Sequence, residues 1–467
     1  MYTNLTNQSS RIITFVALSP QNMKTILILG AGLSASSLIR YLLTHAIAHN
    51  WQLRITDQDI ELVRRKINGH PNATALNFNA LDPAERRPEI EHADLVISML
   101  PARFHPEVAK DCVDYKKNLI TPSYISPEMR ALDEKAKQAH IIIMNEIGVD
   151  PGIDHMSAMK IIHEIKDNGG KVTAFRSFCG GLIAPESDDN LWNYKFTWNP
   201  RNVVLAGQGG ASCFLDHGEY KYIPYNRLFS RLAGITVEGY GDFDGYANRD
   251  SLSYRKTYGL EDIPTIYRGT LRRPGYCQAW SVFIELGMTD DSYKMDKSEN
   301  LTPRSFLNAF LPYHPNQTVE EKFRKFLGKD REGLYNKFEW LDLFSKEEKL
   351  GIENASPAQL LERILTKKLV LNQGDKDMLV MYHEFEYEKN GKQYLVTSSM
   401  VNIGEDQTYT SMSNTVGLPV AIAAKMILNG QIRKHGVMLP IEKEVYEPIL
   451  MELEDYGITF SETKAEI

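Results

Sequence analysis

The stretch Thr25–Leu43, TILILGAGLSASSLIRYLL, decides the fold. An apolar run breaks at a glycine turn and continues into a segment with Leu38, Ile39, Leu42 and Leu43 on one face, the pattern of a buried strand feeding a helix. Gly30, Gly32 and Ala35 stand in the order G-x-G-x-x-A. The first position allows the tight turn, the second lets a pyrophosphate approach the backbone, and the third lets helix and strand pack closely. The helix start adds free N–H groups and a positive dipole, which suit phosphate. Glycines at such a turn can serve structure alone, so context matters. A second short strand, LRIT, ends at Asp57, a carboxylate placed for a ribose hydroxyl, and the two signals together predict a dinucleotide site.

The alternation continues. ADLVISML (Ala93–Leu100), NLITPS (Asn118–Ser123) and HIIIMNEIG (His140–Gly148) read as strands, with helical HPEVAKDCVDYK and SPEMRALDEKAKQ between them. That is the α/β class, with a doubly wound parallel sheet. Ser98–Pro101 and Thr121–Ser126 fall at strand ends and should border the nicotinamide crevice. Pro101 and Pro122 also simply end strands.

Length and composition bound the rest. A chain of 467 residues exceeds one ordinary core and predicts two or three domains. The net charge of -7 gives no reason to expect a nucleic-acid partner. The longest apolar runs fall short of the roughly 18 residues that cross a bilayer, so no membrane partner is expected. Cys112, Cys179, Cys213 and Cys277 match no metal-ligand spacing; a reduced, cytoplasmic setting without disulfides is expected. Residues 1–22 carry one arginine and no sustained apolar core, which reads as a loose extension rather than a signal peptide.

Further along, VTAFRSFCGG and QAWSVFIEL read as strands of a mixed sheet, and NQTVEEKFRKFLGKD as an amphipathic helix. DMLVMYHEFEY and KQYLVTSSMV return to strand patterning, and TVGLPVAIAAKMILNG is an apolar helix closed by Gly430 that should pack back on the nucleotide domain. The expected division is 23–150 with 412–435 as the dinucleotide-binding domain. A mixed α/β substrate domain takes 151–289 with 369–411 and 436–467, and a helical insert takes 290–368.

NEIGVDPGIDH, FCGGLIAPESDDNLWNYKFTW, GYANRDS, YRGTLRRPGY and TVGLPVAIAAKMILNG occur in this order, and together they resemble the saccharopine dehydrogenases of the L-glutamate-forming type. The resemblance runs over nearly everything from Met23 onward. It implies a Rossmann domain, a substrate domain and a helical insert, and an enzyme of lysine metabolism. The implied reaction links saccharopine, a nicotinamide nucleotide and water with L-glutamate and 2-aminoadipate 6-semialdehyde. It carries substrate contacts onto Ser123, Tyr124, Asp150, Arg249, Thr270, Leu271 and Arg272. Nucleotide contacts fall on Gly30, Gly32, Leu33, Ser34, Ala35, Asp57, Gln58, Asn79, Ala80, Met99 and Leu100.

The chemistry agrees with those residue types. Saccharopine carries three carboxylates and two amino groups, which ask for guanidinium forks and a carboxylate respectively. In the oxidising direction a base takes a proton from the secondary ammonium, hydride leaves the glutamate carbon bearing it, and water releases the products. Asp150 and Tyr124 are the candidate proton-transfer groups, unranked by sequence. Cys179 has no covalent role in hydride transfer and reads as packing.

The acidic loop NEIGVDPGIDH also raises the question of a metal. Glu146, Asp150, Asp154 and His155 cannot be shown to converge, and redox chemistry at nicotinamide needs no metal; none is expected. Pro151 and Gly152 shape the crossover, and Asp154 and His155 read as helix capping and packing.

For the nucleotide, the better-known eukaryotic members of this family end the second strand with a small residue and Arg, which suits NADP. Here the pair is Asp57 and Gln58, which predicts NAD, with NADP as the alternative. Arg64, Arg65 and Lys66 read as an exposed basic face. Two rival functions are a related imine reductase, such as a carboxynorspermidine or homospermidine enzyme, and a non-catalytic nucleotide sensor. Retention of both Arg249 and Arg272 argues against the first. The expected partner is a small-molecule substrate, and a homodimer is compatible with the sequence.

Overall fold

The structure is a computed structural model and describes residues 23–467. The expected extension, 1–22, lies outside the described residues. Chain order begins with β1 (Lys24–Leu29), β2 (Trp51–Thr56), β3 (Ala73–Leu76), β4 (Leu95–Ser98), β5 (Asn118–Ile120) and β6 (Ile142–Met144). Helices α1 (Ser36–Ala46), α2 (Ile60–Ile67), α3 (Pro83–His92) and α4 (His105–Tyr115) make the crossovers after the first four strands. β4 and β6 are buried at every position, because a parallel sheet is covered on both faces. β3 carries weak patterning, half-buried or exposed along its length, and is held at the sheet edge by its pairing with β2.

The second half contributes β7 (Lys171–Ile183), β8 (Ser212–Asp216), β9 (Glu219–Ile223), β10 (Leu232–Val237), β11 (Gly241–Ala247), β12 (Thr265–Arg272), β13 (Asp377–Lys389) and β14 (Lys392–Ile403). β15 (Gly436–Met438) and β16 (Ser461–Glu466) follow. The first sheet has the order β15-β6-β5-β4-β1-β2-β3, parallel throughout. The second has the path β10-β11-β12-β7-β13-β14-β16, with β8 and β9 branching from β12. Only β7 and β12 run parallel to each other there.

Two expectations are corrected. Residues 436–438 do not belong with the second sheet: β15 lies beside β6, where Gly436, Val437 and Met438 pair with Ile142, Ile143 and Met144. Three residues carry no periodicity that names a partner sheet. QAWSVFIEL is not a strand but most of the helix Tyr276–Leu286, closed by Gly287 in the left-handed region (φ 83°). Gln278, Ser281 and Glu285 recur at i, i+3 and i+7 and lie on the less buried side of the helix, a helical period that the aromatic and β-branched Trp280, Val282, Phe283 and Ile284 between them obscure.

The helix Ser411–Leu428 is the one described helix long and apolar enough to cross a membrane, and 83% of it is buried. It lies against α1. Ser37 N donates to Ser413 Oγ at 2.9 Å and Ser37 Oγ to Asn414 Oδ1 at 2.6 Å, and a Cβ on Gly417 would meet Leu38 N at 2.7 Å. Through this helix one apolar cluster runs from Ile26, Leu38 and Leu42 to Met381 and Phe385, joining the two sheets. Residues 290–368 hold helices Pro303–Ala309, Val319–Leu327, Tyr335–Trp340 and Pro357–Leu365. Their Phe306, Phe323 and Phe338 share a core with Trp192, Tyr194, Trp280 and Phe283. The helical segment therefore completes a core begun by the second half.

Candidate active site

The carboxyl ends of β1 to β4 carry the nucleotide residues named from sequence. Gly30 has φ 99°, and a Cβ there would press on Met99 O at 3.1 Å, so the turn admits glycine only. A Cβ on Gly32 would meet nothing within 4 Å, which leaves the open approach that a pyrophosphate requires. Leu33 and Ser34 follow at the helix start, and Ala35 is buried against the sheet. Met99 and Leu100 follow β4, and Met99 N donates to Leu29 O at 2.8 Å. Asn79 and Ala80 follow β3, where Asn79 Oδ1 accepts from Leu81 N at 3.0 Å and Ala80 O from Arg86. Asp57 ends β2. Its Oδ2 accepts from Ala31 N at 2.7 Å and its Oδ1 from Asp59 N at 3.1 Å, which ties the carboxylate to the glycine turn; Gln58 beside it is exposed.

The expectation of an exposed basic face holds for Arg64 and Arg65, which pair with Glu61 and Asp59. Lys66 departs from it. Its Nζ donates to Ala31 O at 2.7 Å and Gly32 O at 2.8 Å, inside the glycine turn. Burial pushes this amine down to about 8, against the pull of Asp57.

The ends of β4 and β5 meet at His105. This side chain is 2% exposed; Nδ1 lies 2.9 Å from Ser98 Oγ, and Nε2 lies 2.8 Å from Ser123 Oγ and 2.9 Å from Thr121 Oγ1. Burial pushes the imidazole down to about 4, so it is neutral at physiological pH, and the three hydroxyls satisfy either tautomer. Ser123 is thereby fixed, and its carbonyl accepts from Glu146 N at 3.1 Å.

Asp150 and Tyr124, the two candidate proton-transfer groups, lie side by side. The phenol donates to Asp150 Oδ1 at 2.9 Å. Arg268, from β12, donates through one Nη atom to the same Oδ1 at 2.6 Å and to Asp154 Oδ2 at 2.7 Å. Asp150 Oδ2 has no hydrogen-bond partner among the described residues. Burial raises the Asp150 carboxyl above its ordinary value, opposed by Arg268 and reinforced by Asp154. Tyr124 is 45% exposed as a residue, but desolvation about its hydroxyl, then Asp150, hold the phenol above its usual value, so the phenol is the donor of this pair. Asp154 also accepts from Gly152 N at 2.6 Å. Its burial is outweighed by His155, Arg268 and that N–H, and it ends below its ordinary value.

The remaining acid of the loop has its own partners. Glu146 Oε2 lies 2.8 Å from His155 Nε2, and Oε1 accepts from Ile125 N at 2.9 Å. A Cβ on Gly152 (φ 147°) would collide with the Gly148 backbone, so the sharp turn between β6 and the helix Ile153–Asp167 needs glycine.

β12 supplies the other wall. Arg268, Thr270 and Arg272 alternate along it, and Thr270 is paired with Cys179 on β7 and Tyr246 on β11. Arg272 is 4% exposed, its guanidinium within 6 Å of the ring centroids of Tyr194, Tyr246 and Tyr276. It donates to Leu271 O at 2.8 Å, its Nε has no partner, and no carboxylate pairs with it among the described residues. The Leu271 side chain points to the opposite face, buried with Phe178 and Leu182, which leaves its backbone to make any contact on the site face. Arg249 follows β11 and is exposed, with no partner for its guanidinium among the described residues. Burial, then Asp150 and Asp154, push the Cys179 thiol well above its ordinary value, so it stays protonated.

Arg268 and His105 were missed. For Arg268 the signal was present, since it precedes Thr270 by two residues on the same strand and must share its face. For His105 there was none: a histidine opening a helix shows its environment only once the ends of β4 and β5 close around it.

The description "Saccharopine dehydrogenase NADP binding domain" matches residues 26–144, and "Saccharopine dehydrogenase C-terminal domain" matches residues 148–458. Saccharopine dehydrogenase [NADP(+), L-glutamate-forming] of Saccharomyces cerevisiae is 33% identical, covering 94% of this chain and 99% of that one. Its counterpart in Pyricularia oryzae is 32% identical, over 94% and 98%. The mitochondrial alpha-aminoadipic semialdehyde synthase of Rattus norvegicus is 34% identical over 98% of this chain and half of its own length. Among solved structures, apo histidine-tagged saccharopine dehydrogenase (L-Glu forming) from Saccharomyces cerevisiae superposes with a TM-score of 0.85 at 31% identity, over 95% of this chain and all of that one. Family descriptions that together span both sheets, and relatives matched along nearly their whole length, agree with the glycine turn, the Tyr124–Asp150 pair and the two buried arginines of β12: the chain belongs to the saccharopine dehydrogenase family.

Proposed function

We propose that the chain interconverts saccharopine, NAD(P)+ and water with L-glutamate, 2-aminoadipate 6-semialdehyde and NAD(P)H, as an enzyme of lysine metabolism. The observation that carries this reading is complementary charge. Arg272 is a buried cation without an anion, and Asp150 offers an unpartnered carboxylate oxygen, a combination that suits an amino acid with both carboxylate and ammonium groups. Arg268 and Arg272 are four residues apart on β12, roughly 13 Å, which suits an elongated substrate with charge at several points.

In this assignment Arg272, with Arg249 at the exposed end, holds substrate carboxylates, Thr270 lies between, and Ser123 is presented by His105. Asp150 Oδ2 takes the proton of the secondary ammonium, and Tyr124 steadies the carboxylate through Oδ1. The nicotinamide nucleotide, held by the glycine turn and the ends of β2 to β4, supplies the hydride acceptor when bound. The buried floor of Cys179 and Tyr246 keeps bulk water from the reacting carbon. The same reading gives 23–150 with 412–435 and β15 to nucleotide binding, the second sheet to substrate binding, and 290–368 to an insert that braces it.

For the nucleotide we propose a preference for NAD. Asp57 is fixed at the glycine turn, where a carboxylate accepts from ribose hydroxyls and repels a 2′-phosphate. The Saccharomyces cerevisiae and Pyricularia oryzae relatives carry NADP(+) in their names, and Lys66 places a cation in the same turn, which is the feature that favours NADP as the second reading. The four unpaired cysteines suit a reduced compartment, for which we propose the cytoplasm.

The test is to titrate saccharopine with either nucleotide and follow nicotinamide absorbance. Nucleotide reduction with release of glutamate supports the assignment; binding without turnover supports a sensor instead.

A further inference from the structure

We propose that Arg268 is a positioning residue of the redox site: it clamps Asp150 through Oδ1, leaving Oδ2 turned to the substrate nitrogen, and Asp154 is the anchor that holds Arg268 in place. The proposal rests on the reading that Asp150 meets that nitrogen. Its geometry is particular. Arg268 reaches both acids through a single Nη atom, at 2.6 Å and 2.7 Å, and its side chain is 4% exposed. Its backbone is fixed as well, Arg268 N donating to Ser251 Oγ at 2.9 Å. The guanidinium lies 4.1 Å from the ring centroid of Tyr254 and 6.0 Å from that of Tyr124, so aromatic faces limit its swing.

Three features separate this from a plain structural ion pair. Asp150 and Asp154 lie on either side of the turn between β6 and the following helix, and without a cation between them their carboxylates would repel each other and turn apart. Arg268 lies on the second sheet, so the clamp exists only when the two halves of the chain are docked. Both donors to Asp150, Tyr124 and Arg268, use Oδ1, so the carboxylate cannot rotate without breaking two hydrogen bonds at once. A carboxylate held by one oxygen and free at the other is what directional proton transfer needs. Asp154 has no such free side, since Oδ1 takes Gly152 N and Oδ2 takes Arg268.

The experiment is a double-mutant cycle of Arg268→Met with Asp150→Asn, with Arg268→Lys as the conservative variant. Saccharopine turnover by the wild type tests the function itself; the cycle tests only the clamp. Arg268→Met is expected to lower kcat with saccharopine about 30-fold, and to leave the dissociation constant of the nucleotide within about twofold. In the Asp150→Asn background the same change should cost less than about threefold, because its effect passes through Asp150. Arg268→Lys should recover a large part of kcat, one ammonium being able to bridge two carboxylates. Fully additive losses, or wild-type kcat in Arg268→Met, overturn the proposal. If Arg268→Met does not fold, Asp154→Asn removes the anchor and should lower kcat in the same non-additive way; additivity there overturns it equally. A crystal structure of either single variant reads the clamp without turnover: the Tyr124–Asp150 bond should be lost or moved to the other oxygen, and an unchanged bond counts against it.

Discussion

Tyr124 donates its phenolic hydrogen to Oδ1 of Asp150 across 2.9 Å, on a carboxyl that burial has already raised above its ordinary value. The bond favours the ionised carboxylate, so removing it raises the carboxyl further. As a base Asp150 must be ionised, and activity is therefore lost as pH falls through its value. Tyr124→Phe should move the acidic limb of the kcat/KM profile for saccharopine to higher pH and lower the plateau about tenfold, the cost of one charge-assisted hydrogen bond. An acidic limb that stays in place, measured over the full profile, removes Tyr124 from the proton-transfer pair.

Arg272 makes a prediction in which binding and stability part company. Arg272→Met removes a buried cation that has no anion of its own, so the melting temperature should hold or rise, while the KM for saccharopine rises about 10- to 100-fold. Arg249→Ala, at an exposed position, should raise KM with no change in melting temperature. Thermal denaturation alongside steady-state kinetics checks both; unchanged KM values in the two variants defeat the carboxylate assignment.

Nucleotide choice turns on Asp57 and Lys66. Comparing kcat/KM for NAD and NADP, the wild type should favour NAD, and Asp57→Ala should shift the ratio toward NADP by about tenfold or more. Lys66→Met should lower use of NADP more than use of NAD. A wild-type preference for NADP, or a ratio indifferent to Asp57, would refute the assignment.

Dialysis against EDTA should leave activity intact. In the loop 145–155 Glu146 is committed to His155 and the Ile125 amide and Asp154 to Arg268 and the Gly152 amide, and Asp150, tied by Oδ1 to Tyr124 and Arg268, offers a single free oxygen, too few donors for a metal. Activity lost on dialysis and restored by zinc or magnesium would reverse this reading of the loop.

Sequence alone was enough wherever structure is local. The glycine turn after β1 depends on residues a few positions apart, the turn at Gly152 on its own φ, and the parallel class of the first sheet on short apolar runs alternating with helices. That the loops holding Ser123, Tyr124 and Asp150 lie at one edge was legible because the carboxyl ends of parallel strands converge, whereas the choice of these three residues within them came from the family resemblance. Tertiary structure decided what depends on partners distant in sequence. QAWSVFIEL became a helix whose apolar side joins the core of Trp192 and Phe338 while Gln278 and Glu285 face out; its aromatic and β-branched residues suit a strand as well, and only that core decides between the two. β15 went to the first sheet because a three-residue strand is assigned by the edge available to it, not by its own pattern. Leu271 lies on the core face of β12 and Arg268 on the cleft face, although both belong to the same short motif, since strand alternation fixes which residues share a face but not which face is the cleft. Lys66 folded back onto Ala31 and Gly32 instead of facing water. The clamp of Asp150 by Arg268 spans 118 residues of chain, and only the docking of the two sheets brings its charges within hydrogen-bonding distance.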